Sequence, residues 1–234
     1  MKFSRRAVLA HIGAAGLSAA LPVRSPAQNA YADLEGRPWF FFNDEQARFV
    51  AAMVDIFIPE DEFPSASQAG VVDFIDLQLA GPYGRGEGLY LQGPFPESTL
   101  PTQGYQLPYP PAELVSRGIE EVEGGQDGIR LVDRDLAGRE AFVGALSGTQ
   151  QSPVAGGFFD EMLKLANWGY FADPIYDGNR DYAGWRMVGF PGAHAYYLSF
   201  VDKHNVPYPV DPKGIAHVPG EGPAEFLETR SREG

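Results

Sequence analysis

The chain of 234 residues has no cysteine. That excludes disulfides, c-type haem attachment, thiolate zinc sites and cysteine-ligated iron–sulfur clusters within it, so its stability must come from packing. Histidine is nearly as scarce. Apart from His11, the chain holds His194, His204 and His217, too widely spaced for a sequence-local metal motif. Cations are few as well: 18 Lys and Arg stand against 31 Asp and Glu, a net charge of -13. Phosphate backbones and anionic lipid are captured mainly by lysine and arginine, so nucleic acid and direct membrane binding are not expected. The usual cofactor fingerprints are missing too. There is no G-x-x-x-x-G-K-[ST] and no H-E-x-x-H, and Gly84-Arg85-Gly86-Glu87-Gly88 lacks the third-glycine spacing of a dinucleotide loop and follows no clear strand.

What is present begins at the N-terminus. Met1-Lys2-Phe3-Ser4-Arg5-Arg6 leads into an apolar run, residues 7–21, rich in Ala and Gly. The twin arginines Arg5 and Arg6, the apolar run and the small residues Ser25 and Ala27 follow the order of a twin-arginine export signal, with processing expected after Ala27 or, failing that, Ala30. Fifteen residues fall short of the ~20 needed to span a bilayer. Removing residues 1–27 takes away Lys2, Arg5, Arg6 and Arg24 but no acid, so the net charge passes from -13 to -17. The remaining chain, 28–234, is long enough for one domain burying roughly 70% of its unfolded surface.

Periodicity predicts a mainly α fold: a single compact helical domain with long Gly/Pro/aromatic-rich loops. Asn43 with Gln46 resembles a capping pair before Phe49, Val50, Met53, Ile56 and Phe57 at helical spacing, which Pro59 stops. A second helix is expected over 67–80, with Gly81-Pro82 closing it. Residues 81–111, dense in Gly, Pro and Tyr, read as a long irregular loop of the kind that is usually functional. Helical patterns return over 112–123, weakly over 136–146, and most strongly over 154–171, with Phe158, Phe159, Met162, Leu163, Ala166 and Tyr170 on one stripe. No segment alternates at period two for long enough to predict a sheet.

After that helix comes Phe171-Ala172-Asp173-Pro174-Ile175-Tyr176-Asp177-Gly178-Asn179-Arg180-Asp181, then Gly184-Trp185-Arg186 and Gly189-Phe190-Pro191-Gly192. This string resembles the signature of the gluconate 2-dehydrogenase small-subunit (subunit 3) family, also seen in the small subunits of membrane-bound fructose dehydrogenases. Asp55-Ile56-Phe57-Ile58-Pro59-Glu60-Asp61, with Pro64, Ala66 and Ala69-Gly70-Val71-Val72-Asp73-Phe74-Ile75-Asp76, is similar to the family's other recurrent block. The likeness spans roughly 40–193 and leaves 194–234 as a C-terminal extension. Two departures stand out: the family often has glycine at Asp177 and glycine-alanine at Ser65-Ala66.

The resemblance implies a complex with a large FAD-binding dehydrogenase subunit and, commonly, a multihaem cytochrome c passing electrons to membrane quinone. It implies no cofactor, metal or catalytic residue in this chain, and a periplasmic location, membrane-associated through the complex. The export signal would then serve a flavin-loaded partner that travels with it.

Asp173, Asn179, Arg180 and Asp181 are candidates for a polar cluster at the subunit junction, with an internally hydrogen-bonded loop as the alternative. Tyr176, Trp185 and Phe190, and Arg186 in the same string, are candidate interface anchors, with core packing as the alternative. Pro174, Gly178, Gly189, Pro191 and Gly192 are read as setting backbone geometry. The carboxylate pairs Asp73/Asp76 and Glu120/Glu121 are read as solvated helix faces. A rival function is a stand-alone periplasmic carbohydrate binder or carboxylate-dependent enzyme whose pocket the 81–111 loop lines.

Overall fold

The computed structural model describes residues 31–96, 100–123, 128–147, 152–193, 200–206 and 210–215. The export signal expected over residues 1–27 lies outside them, as do His194 and His217. Among the described residues there are six α-helices and no strand, so the fold is mainly α as the patterning predicts, with one helix more than the five it marks.

Helix α1 (Asp44–Phe57) starts at a complete capping box. Asn43 Oδ1 accepts from the Gln46 amide at 2.9 Å, and Gln46 Oε1 accepts from the Asn43 amide at 3.1 Å. Asp44 and Glu45 complement the helix dipole in the first turn. From Phe49 to Val54 every side chain is buried, so α1 runs through the core rather than along its surface.

Helix α2 (Val71–Ala80) begins four residues later than its apolar pattern suggests. Ser67 is drawn out of the helix because its amide and hydroxyl both donate to Asp55, at 2.8 and 2.7 Å. Gly70 then takes φ 82°, a left-handed turn that sets the helix direction.

Helices α3 (Pro111–Val122) and α4 (Leu136–Leu146) begin at a Pro in the first turn and at the Asp135 cap, respectively. The longest helix, α5 (Pro153–Phe171), is capped by Ser152 and packs most extensively on α3, with further contacts to α2, α1, α4 and α6. It buries Phe158, Met162, Leu165, Ala166 and Tyr170. Leu163, placed on the apolar stripe by spacing, is instead 37% exposed, and Leu165 takes the core position. The α3–α5 contact is close enough that a Cβ on Gly118 would stand 2.3 Å from Phe158 Cγ.

The described residues of 81–110 are irregular as expected, apart from one 3-10 turn, Pro101–Gln103, and Pro111 already belongs to α3. The region folds back on the domain rather than projecting, with the Ala112 amide bonded to Gly84 O at 3.0 Å. A short helix, α6 (Ala183–Val188), not anticipated from the pattern, follows the signature string. Beyond it Gly192 and Lys213 form an isolated parallel bridge.

Candidate functional site

The two sequence blocks that carry the family likeness meet in space. Asp73 on α2 accepts from Arg180 Nη2 at 2.6 Å and also from Arg37, so one carboxylate joins the N-terminal strap, α2 and the signature turn. The Arg180 amide donates to Ala69 O at 2.9 Å. A Cβ on Gly70 would lie 2.8 Å from Arg180 Nε and 2.9 Å from Asp177 O, so only glycine admits this approach. Beneath the turn, a Cβ on Gly178 would meet Gly169 O of α5 at 2.2 Å. Tyr170, fully buried, ties the other block down by donating to Pro64 O at 2.7 Å.

The turn itself runs through four non-glycine residues at positive φ: Asp177 (69°), Asn179 (50°), Asp181 (53°) and Tyr182 (57°). Asp and Asn tolerate this region better than other side chains, and the left-handed φ accounts for glycine being usual where Asp177 stands. Asn179 is completely buried. Its Nδ2 donates to Ala172 O at 2.7 Å and its Oδ1 accepts from the Gly184 amide at 2.8 Å, which fastens α5 to α6. Asp173 accepts from the amides of Ile175 at 3.1 Å and Ile215 at 2.7 Å.

Of the aromatics in the string, Trp185 packs inward. It is 6% exposed, donates from Nε1 to Phe171 O at 2.8 Å, stacks on Tyr182 and meets Phe190 edge-on. Tyr176 and Phe190 face solvent. Arg186 reaches Asp181 O at 3.1 Å and Asp211 at 3.1 Å, and the Asp181 side chain is on the surface.

Asp76 corrects the reading of the Asp73/Asp76 pair as a solvated face. It is 2% exposed and accepts from three successive amides, Phe40 at 2.8 Å and Phe41 and Phe42 at 2.9 Å. Its i, i+3 spacing from Asp73 places both on one face, but the donors are backbone groups more than thirty residues away, which no local pattern reveals. Glu120 and Glu121 are exposed, as read.

Three concave features surround this framework. A trough of about 550 Å³ between α2, α5 and the signature turn is lined by Phe74, Gln78, Trp168, Phe171, Asp173 and Tyr176. A cleft of about 680 Å³ lies under the 81–111 loop, with Phe95, Tyr105, Gln106, Asp160, Glu161 and Lys164 on its walls. Within it the buried Glu161 accepts from the Tyr83 hydroxyl and pairs with Lys164 at 2.5 Å. Burial, then the Glu161 hydrogen bond, drives the Tyr83 hydroxyl far above its ordinary range; burial and the charges of Glu161 and Glu113 push Tyr105 up to about 12. A third hollow, of about 480 Å³, surrounds Asp55, which accepts from Tyr31 at 2.9 Å as well as from Ser67. Burial and then the Asp55 charge raise the Tyr31 hydroxyl strongly.

Among the described residues no group of three His, Cys, Asp or Glu side chains is placed to hold a metal ion, and no helix is long and apolar enough to cross a membrane.

The arrangement defines a helical domain whose two blocks are tied together by internal polar contacts, with Trp168, Tyr176 and Phe190 left facing solvent. A family model described as gluconate 2-dehydrogenase subunit 3 matches residues 44–192, and the chain belongs to that family. It is thus a subunit of a gluconate 2-dehydrogenase-like complex, an accessory chain of an oxidoreductase. No curated protein and no solved structure matches it.

Proposed function

We propose that this chain is the non-catalytic small subunit of a periplasmic FAD-dependent dehydrogenase of sugars, sugar acids or polyols. It stabilises the flavoprotein subunit and supplies the twin-arginine signal on which both are exported. FAD belongs to the large partner subunit, and a cytochrome carrying haem c is commonly the third component in such complexes. The observation that carries the reading is the character of the junction between the two family blocks. Asp73, Asp76, Asp173 and Asn179 are all engaged by donors or acceptors of the chain itself, whereas Trp168, Tyr176 and Phe190 are offered to solvent. Internally committed polar groups suit scaffolding, and exposed aromatics suit protein contact.

The rival reading, a carbohydrate binder or carboxylate-dependent enzyme, rests on the cleft under the 81–111 loop. Acid–base work needs two carboxyl groups free to exchange protons across a substrate. Glu161 has one oxygen on the Tyr83 hydroxyl and the other on Lys164, which favours a role in pinning the loop to α5.

An affinity pull-down of the native chain from periplasmic and membrane fractions, read by flavin absorbance and mass spectrometry, tests the proposal. A stoichiometric flavoprotein is expected, and a lone colourless chain would overturn it. Replacing Arg5 and Arg6 with lysine is expected to leave both chains in the cytoplasm; a partner exported at normal levels would remove the escort role.

A further inference from the structure

Resting on the reading of the chain as a dehydrogenase small subunit, we infer that the trough between α2, α5 and the signature turn is the seat of the flavoprotein subunit and receives an uncharged, apolar segment of it. Trp168, Phe171 and Tyr176 form its walls and are 49%, 37% and 53% exposed, and Phe74 forms its floor. Three large aromatics open to water around one hollow are the composition of an interface centre rather than of ordinary surface.

The charge pattern identifies what sits there. Among the described lining residues Asp173 carries the sole charge, and its two oxygens hold the amides of Ile175 and Ile215. Of the two amide side chains, Asn167 is committed through Nδ2 to Leu163 O at 2.8 Å. An acidic side chain entering the trough would lose its water and meet only the like charge of Asp173, an uncompensated desolvation. A neutral apolar side chain gives up no charge solvation and gains the burial of three aromatic faces.

The walls are also held in place beforehand. Trp168 meets Tyr83 edge-on at 5.7 Å and carries Lys164 Nζ over its ring at 5.3 Å. Tyr176 closes the 3-10 turn that Asp173 caps. A preformed site spares the entropy of ordering on association. The trough is continuous with the turn locked by Arg180 and Asp73, so the two family blocks combine to present it.

The test uses the native complex. A photo-crosslinking aromatic residue in place of Trp168 is expected to join this chain to the flavin-carrying subunit. Trp168→Glu and Tyr176→Glu are each expected to lower the flavoprotein recovered with the tagged chain at least tenfold while its helical circular dichroism is unchanged. Leu136→Glu, on α4, is expected to leave recovery unchanged. Crosslinking to residues 216–234 of the same chain, or to a second copy, would overturn the assignment. So would full recovery with both glutamate variants. If the unaltered chain brings down no flavoprotein, the subunit reading itself fails; if it does and both variants do too, only the trough is wrong.

Discussion

Arg180 and Asp73, 107 residues apart in the chain, form a 2.6 Å ion pair at the meeting point of the two segments by which the family is recognised. Arg37 binds the same carboxylate from the other side, so Asp73 is the hub and the arginines are spokes.

The two roles are separable by stability. Arg180 is 46% exposed, so Arg180→Ala is expected to cost only roughly 0.5–1 kcal/mol. Asp73→Ala strands both guanidinium groups and is expected to cost roughly 1.5–3 kcal/mol. Urea denaturation of the two single variants and the double variant checks this, and equal costs would count against the hub.

Asp76 alone ties down three successive amides of the strap, those of Phe40, Phe41 and Phe42. Asp76→Ala is expected to destabilise the domain by roughly 3 kcal/mol and to speed hydrogen exchange at Phe40, Phe41 and Phe42 before the core exchanges. Asp76→Asn keeps the oxygen facing Phe41 and Phe42 and turns a donor toward Phe40, so about half that loss is expected. Exchange mass spectrometry over 38–44 reads both.

Two helix glycines are predicted to respond in opposite directions to alanine. Gly118→Ala drives a methyl into Phe158 and is expected to cost roughly 1–3 kcal/mol. At Gly144 nothing lies within 4 Å, so Gly144→Ala is expected to stabilise the domain by roughly 0.5–1 kcal/mol through helix propensity. Thermal melts of both variants decide it.

Tyr31, Tyr83 and Tyr105 have hydroxyls raised above the ordinary tyrosine value, Tyr105 to about 12. A phenol whose folded-state pKa is raised contributes stability that is complete below its unfolded pKa of about 10 and is lost as pH rises through the folded value. The urea midpoint is therefore expected to hold steady from pH 7 to 9 and to fall from about pH 10 upward. Tyr105→Phe should flatten part of that fall, which absorbance at 295 nm and denaturation at matched pH would follow.

Much of this architecture is legible in the residues alone, wherever the determinant is local. Asn43 and Gln46 announce α1 because a capping box is a four-residue event, and Phe158, Met162 and Ala166 announce α5 because burial on one helix face repeats with the helix. The start of α2 is misjudged because Ser67 follows a helical pattern while Asp55, twelve residues earlier, claims it. Helix α6 escapes notice because it is six residues long and is entered through Asn179, Asp181 and Tyr182 in left-handed conformations that glycine usually marks. At the site, Asp173, Asn179 and Arg180 are identifiable as a group from their string. The division of labour between buried Trp185 and exposed Trp168 depends on tertiary packing and is not legible there.

The pairing of Asp73 with Arg180 also sets a timetable. On a ribosome adding roughly 5–20 residues per second, α2 waits on the order of 5–20 s for the turn that completes it. Through that interval Phe74 and its neighbours have no α5 to cover them, so the nascent chain is vulnerable early and settles late, when nearly the whole domain has emerged.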